Sequence, residues 1–133
     1  MLFSEKKIDP REYNPLALAY IGDTVFDLFV RTKLLEGGNR RVTDLHKRAV
    51  KLVNASAQAE IVHMLECELS EDELAVLKWG RNAKVNNHPS RSTLSEYHLA
   101  TGLETLIGFL YLEGKEERLC ELLEKAYLNF NKE

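Results

Sequence analysis

The sequence predicts an all-α fold: a single helical-bundle domain over residues 1–133, with its core at about 14–130. Three observations carry that expectation. Proline, glycine and short polar residues fall where helices start and stop. Between these signals, apolar residues recur at helical spacing. No stretch of useful length shows the two-residue alternation of a half-buried strand.

Asn14-Pro15 reads as an N-cap followed by proline at the first helical position, where the missing N–H costs nothing. The pattern LALAYIGDTVFDLFVRTKLLE then runs to Gly37-Gly38, which accept positive φ and so suit a helix C-terminus. Thr43-Asp44 opens a second helix, with Leu45, Ala49, Leu52 and Val53 on its apolar stripe. That helix breaks around residues 54–56, and residues 57–67 continue as another. Ser70 with Glu73 forms a capping box for a short helix ending near Gly80. The polar, basic, Asn-rich segment RNAKVNNHPSRS, residues 81–92, is a loop. Thr93 with Glu96 is a second capping box, opening a long helix to about Glu113. Gly114 breaks it, and residues 115–130 form a last amphipathic helix.

Composition supports a folded chain: 44% of residues are apolar and 29% charged, which argues against disorder. The opening MLFSEKKIDPREYNP has no apolar segment of the secretory kind. The longest apolar runs, residues 16–21 and 107–112, are far too short to span a bilayer, so no membrane association is expected. Two cysteines, Cys67 and Cys120, do not make a disulfide framework, and a reducing cytoplasm is the expected compartment. His63 and Cys67 share a helical face, but two ligands alone make a poor zinc site.

The formal net charge is −3, yet the charges are segregated. Residues 31–51 hold seven basic side chains against two acids, and residues 78–91 hold four against none. The remainder is strongly acidic. That distribution is the footprint of a cationic face able to meet nucleic acid, and also that of ordinary solvated helices.

Two carboxylates stand in unusual surroundings. Asp23 follows Ala19, Tyr20, Ile21 and Gly22, a setting that reads as buried, and Glu104 lies within ATGLETLIGFLYL. Gly22, Gly102 and Gly108 flank them, so the two helix backbones are able to approach closely. Facing carboxylates repel unless a hard divalent ion lies between them, and Mg²⁺ takes one or two carboxylates plus water and phosphate oxygens. The pattern leaves the other reading open, that each acid is an ordinary surface or N–H-paired residue.

LALAYIGDTVFDLFV resembles the first conserved segment of ribonuclease III catalytic domains, approximately LEFLGDxxL. HLATGLETLIGFLYLEG resembles their second metal-binding segment, approximately ADxFEALIGAxYLDGG. With DLHKRAVKLVNASAQAEI and GRNAK, four blocks in register are similar to the bacterial Mini-III branch of that family, a catalytic domain without a double-stranded-RNA-binding domain. The resemblance spans about residues 14–130. It implies that Asp23 and Glu104 are catalytic metal ligands for Mg²⁺, with Mn²⁺ as a substitute. Three family acids are replaced here, by Leu16, Ala19 and Thr101, as they are in the Mini-III branch; this leaves the number of metal ions and the full ligand set open. Thr101 is a candidate to hold a ligand water or simply to pack its helix. Asp27 is a candidate supporting acid or an i,i+4 partner of Arg31.

The implied reaction is metal-assisted hydrolysis of double-stranded RNA, leaving 5′-phosphate and 3′-hydroxyl ends. Candidate RNA contacts are Arg40, Arg41, His46, Lys47, Arg48 and Lys51 in one basic segment, and Arg81, Asn82, Lys84, His88 and Arg91 in the other. The resemblance also implies a homodimer placing two sites across one duplex, with Leu18, Tyr20, Ile21 and Phe26 as its apolar contact. The implied substrate is the precursor of 23S ribosomal RNA, with possible help from a ribosomal protein. The missing acids support a rival reading, a catalytically inactive RNA-binding or ribosome-associated module on the same fold. A helical protein–protein adaptor is a second rival, which the charge segregation argues against.

Overall fold

Side-chain caps set the frame of the chain. The computed structural model describes residues 2–83 and 93–131. In it a 3-10 turn at Pro10–Glu12 precedes six helices: α1 (Pro15–Glu36), α2 (Val42–Val50), α3 (Ala55–Leu65), α4 (Glu71–Arg81), α5 (Leu94–Leu112) and α6 (Glu116–Asn131). A second 3-10 turn, Glu66–Glu68, extends α3. Every regular element among the described residues is helical. The Asn14 side chain accepts the Ala17 N–H at 2.9 Å, and both expected capping boxes are closed, Ser70 with Glu73 and Thr93 with Glu96. Gly114 takes a positive φ of 75° and turns the chain from α5 into α6. At the end of α1, the positive φ falls on Gly38 rather than Gly37.

The second helix departs from expectation at both ends. It starts at Val42 behind Arg41, which makes no side-chain cap, and Asp44 lies in its first turn, where negative charge suits the helix dipole. The break falls at residues 51–54 rather than 54–56. There Asn54 serves two helices: its Nδ2 donates to the Val50 carbonyl at 2.8 Å, and its Oδ1 accepts the Ala57 N–H at 2.9 Å. Most of the predicted loop, residues 84–92, lies outside the described residues.

α5 is the axis of the fold. From Ala100 to Leu110 only Glu104 escapes full burial, because α1, α3 and α4 pack round the helix and α6 closes over its C-terminal half. The core it anchors includes Phe26, Val30, Ile61, Val62, Leu77, Leu106, Ile107 and Leu122. Such a helix is apolar all round and draws its stability from packing. The buried Thr105 hydroxyl meets the carbonyls of Thr101 at 2.8 Å and Pro15 at 3.1 Å.

Close approach of α1 and α5 depends on two missing side chains. A Cβ on Gly22 would strike the backbone carbonyl of Glu104, and one on Gly108 would strike that of Leu18. The obstacle in both cases is backbone, which cannot rotate aside. Gly22→Ala and Gly108→Ala are therefore expected to destabilise the fold by at least about 2–3 kcal/mol, despite alanine's better helix propensity. Chemical denaturation checks this, and a stability equal to or above wild type would refute the close packing.

Arg118 fastens α6 to α4. Its guanidinium donates to both Glu73 oxygens at 2.8 Å and to the Glu68 carbonyl at 2.8 Å, holding the Glu73 carboxyl below its ordinary range. Glu73 thus completes a capping box and a tertiary ion pair together.

Two of the four residues expected at a dimer contact are not available for one. Leu18 and Phe26, with Gly22 and Val30, form the i,i+4 stripe of α1 that faces α5, so both are buried within the chain. Tyr20 is 82% exposed, and Leu16 and Tyr13 are exposed nearby in sequence. Among the described residues, no helix is long and apolar enough to cross a membrane.

Candidate active site

The stripe of α1 that buries Gly22 leaves Asp23 about 100° further round the helix. Asp23 is therefore exposed, not buried as its apolar sequence neighbours suggest. Of those neighbours Ile21 and Gly22 point to other sides of α1, and Tyr20, on the same side as Asp23, is itself in solvent. Glu104 stands opposite on α5, half-buried, and the glycine contact at Gly22 brings its backbone against α1. Burial pushes the Glu104 carboxyl up to about 8, and hydrogen bonding with Asp23 and the charge of Asp23 push the same way. The Gln58 amide acts in the opposite direction, favouring the ionised form. The structure thus brings the two sequence-predicted acids together as a coupled pair that resists full ionisation in isolation.

A divalent cation fits this pair. Two carboxylates whose joint ionisation is opposed by burial and repulsion make a hard-oxygen donor set, and a cation relieves the repulsion. Asp23 and Glu104 are the side chains able to hold it. Among the described residues no group of three or more His, Cys, Asp or Glu side chains forms a metal site, so water and phosphate oxygens would complete the coordination. Leu16, Ala19 and Thr101 contribute no carboxylate. The Thr101 hydroxyl donates to the Tyr97 carbonyl at 2.9 Å in the buried turn below Glu104, an arrangement that packs the helix. Asp27 accepts from Arg31 Nε at 3.2 Å, the i,i+4 pairing anticipated as its alternative role.

A cleft of about 270 Å³ opens beside Asp23, lined by Asp23, Thr24, Asp27 and Arg31 of α1, His46, Ala49 and Val50 of α2, and Val53 just beyond it. Among the described residues, His46 is the member of the expected basic set that lines this cleft. Arg40 and Arg48 both pair with Asp44, at 3.7 and 3.1 Å, which spends part of their charge. Arg41, Lys47 and Lys51 are exposed and form no ion pair among the described residues. Arg81 and Asn82 line a separate open cleft with His63, Ser95 and His98. Lys84, His88 and Arg91 lie outside the described residues.

Two members of the site were missed from sequence. Arg31 belongs to the counted basic segment but was read only as a partner of Asp27. Gln58 was not singled out, although a signal existed: it occupies the apolar stripe of α3 that continues through Ile61, Val62 and Leu65. A polar residue on a buried stripe marks a polar neighbour.

An all-helical chain with paired acids on two helices in close contact has the organisation of a ribonuclease III-type nuclease domain, and the model of the Ribonuclease III domain matches residues 16–115. The chain is 48% identical to Mini-ribonuclease 3 of Symbiobacterium thermophilum, over 89% of this chain and 91% of that protein. It is 40% identical to Mini-ribonuclease 3 of Staphylococcus aureus, over 84% and 85% of the two chains. The crystal structure of protein FN1578 from Fusobacterium nucleatum superimposes with a TM-score of 0.81 at 32% identity, covering 91% of this chain and 97% of that one. The chain belongs to the ribonuclease III family, among its Mini-ribonuclease 3 members.

Proposed function

We propose that this protein is a divalent-metal-dependent endoribonuclease that hydrolyses double-stranded RNA. The observation that carries the reading is the Asp23–Glu104 pair, two carboxylates held together where burial and mutual repulsion oppose joint ionisation and a cation relieves both. A bound Mg²⁺ or Mn²⁺ supplies Lewis-acid polarisation of the phosphate and a more acidic bound water. Glu104 gives a fixed, half-buried ligand, and exposed Asp23 gives one that faces the substrate side. His46 and Arg31, in the cleft beside Asp23, meet phosphate oxygens and orient the backbone. Water adds at phosphorus, the 3′ oxygen leaves, and the products carry 5′-phosphate and 3′-hydroxyl ends. Incubating long duplex RNA with Mg²⁺ and with chelator tests the reading. Magnesium-dependent fragments with these ends support it; binding without cleavage favours the inactive module that the missing acids suggest.

Arg41, Lys47 and Lys51 extend the phosphate contact along α2, following the shape of A-form RNA more than its sequence. Replacing all three by alanine is expected to weaken duplex binding across sequences. The slope of log affinity against log salt should flatten by roughly one unit per lost contact, taking duplex DNA as the guide. An unchanged slope would move the RNA surface to the segment around Arg81.

A homodimer places one site on each strand of a duplex, with Tyr20 and Leu16 as exposed apolar contacts beside Asp23 on α1. Sedimentation equilibrium at micromolar concentration should give twice the chain mass of 15.3 kDa; a monomer at all concentrations refutes the dimer. The substrate proposed is the end-paired precursor of 23S ribosomal RNA, with a ribosomal protein as an accessory partner. Accumulation of that precursor in cells lacking the protein is the expected result.

A further inference from the structure

Gln58 is the feature of the site that packing alone does not explain. It lies in the first turns of α3 with only 4% of its surface exposed, and its Nε2 is buried without a hydrogen-bond partner. A primary amide has two N–H donors, and a buried donor left unpaired destabilises a fold. The flanking residues Ala57 and Ala59 are small and apolar, so the position is core-like. The Gln58 amide stands against Glu104 from α3, which packs on α5 as α1 does. Glu104 is therefore approached by Asp23 from α1 and by the Gln58 amide from α3, near enough to favour the ionised carboxyl but short of hydrogen-bond geometry.

We infer that Gln58 is a positioning residue: its buried Nε2 donates to the Glu104 carboxylate when the two acids hold a divalent cation, and so fixes the orientation of that ligand. The inference rests on the metal-binding reading of Asp23 and Glu104. An ionised carboxylate accepts several hydrogen bonds, so a cation on one side leaves acceptor capacity for an amide on the other. Gln58 touches neither RNA nor the ion; it acts through Glu104.

The test is calorimetric titration of Mn²⁺ into the RNA-free protein, comparing wild type, Gln58→Met, Gln58→Leu and Glu104→Gln, with thermal melts of each without metal. Methionine keeps the length of the glutamine side chain and removes the donor. Both Gln58 variants are expected to bind Mn²⁺ about tenfold or more weakly, as loss of a ligand's supporting hydrogen bond generally does. Their metal-free melting temperatures are expected to equal or exceed wild type, because a buried unpaired amide has gone. A purely structural role for Gln58 would lower the melting temperature and leave the affinity alone. Wild-type affinity in the folded Gln58 variants overturns the inference while leaving the metal site intact. Failure of both variants to fold also overturns it, since Gln58 would then be needed for the core. If wild type binds no Mn²⁺, or Glu104→Gln binds it equally well, the metal-site reading itself fails and the inference falls with it.

Discussion

Asp23→Asn and Glu104→Gln are each expected to slow cleavage of duplex RNA by about a thousandfold or more, while the variants remain folded and bind RNA. Both changes keep the size of the side chain and remove the charge that a divalent cation needs. Metal-assisted polarisation of a phosphate contributes several kcal/mol to the transition state, and each 1.36 kcal/mol is about a factor of ten in rate. Neither residue carries the fold: Asp23 is exposed, and Glu104 is the one position between Ala100 and Leu110 that is not fully buried. The RNA contacts proposed on α2 are untouched. Single-turnover cleavage at saturating RNA and fixed Mg²⁺ measures the effect. Turnover near wild type in either variant would remove that residue from the site.

The second large effect concerns stability without metal. The Glu104 carboxyl ionises near 4.5 in an unfolded chain but only at about 8 in the folded protein, raised by burial first and by Asp23 second. Below about pH 4.5 it is protonated in both states, and Glu104→Gln should change little. Between 4.5 and 8 the unfolded chain releases a proton that the folded chain retains, so wild-type stability declines as pH rises. Above 8 both states are ionised and the penalty is fully present. At 1.36 kcal/mol per pKa unit the ceiling is about 5 kcal/mol, and water reaching the half-buried site reduces it to a few. Glu104→Gln is thus expected to be more stable than wild type at pH 9, and similar at pH 4. Added Mg²⁺ should stabilise wild type and not the variant, because a ligand that binds only the folded state shifts the equilibrium toward it. Urea midpoints across this range decide; a gap independent of pH would show that the carboxyl is not strained by its site.

The helices were legible because their signals are local. Asn14-Pro15, Ser70 with Glu73, Thr93 with Glu96 and Gly114 act within one turn of chain, and each does in the structure what its chemistry dictates. The same locality explains the failures. Whether Asp23 is buried depends on which side of α1 meets α5, and that is set by Gly22, one residue away but on another face. Leu18 and Phe26 looked available for a dimer because their apolar character does not say whether α5 or a second chain covers them. The start of α2 was placed at Thr43-Asp44 rather than Val42 because Arg41 offers no capping side chain, and the Arg118–Glu73 pair escaped notice because its partners are 45 residues apart. Of the site, the acids were legible from spaced glycines and from resemblance. Gln58 and the Arg31–His46 cleft are products of packing among α1, α2, α3 and α5.

Crystals of the active protein grown with Mn²⁺ and measured at the manganese absorption edge test the central claim most directly. Anomalous density is expected between the carboxylates of Asp23 and Glu104, with the two side chains parted to bind it. Manganese bound only elsewhere, with Asp23 and Glu104 still in direct contact, would contradict the assignment of these acids as the metal site.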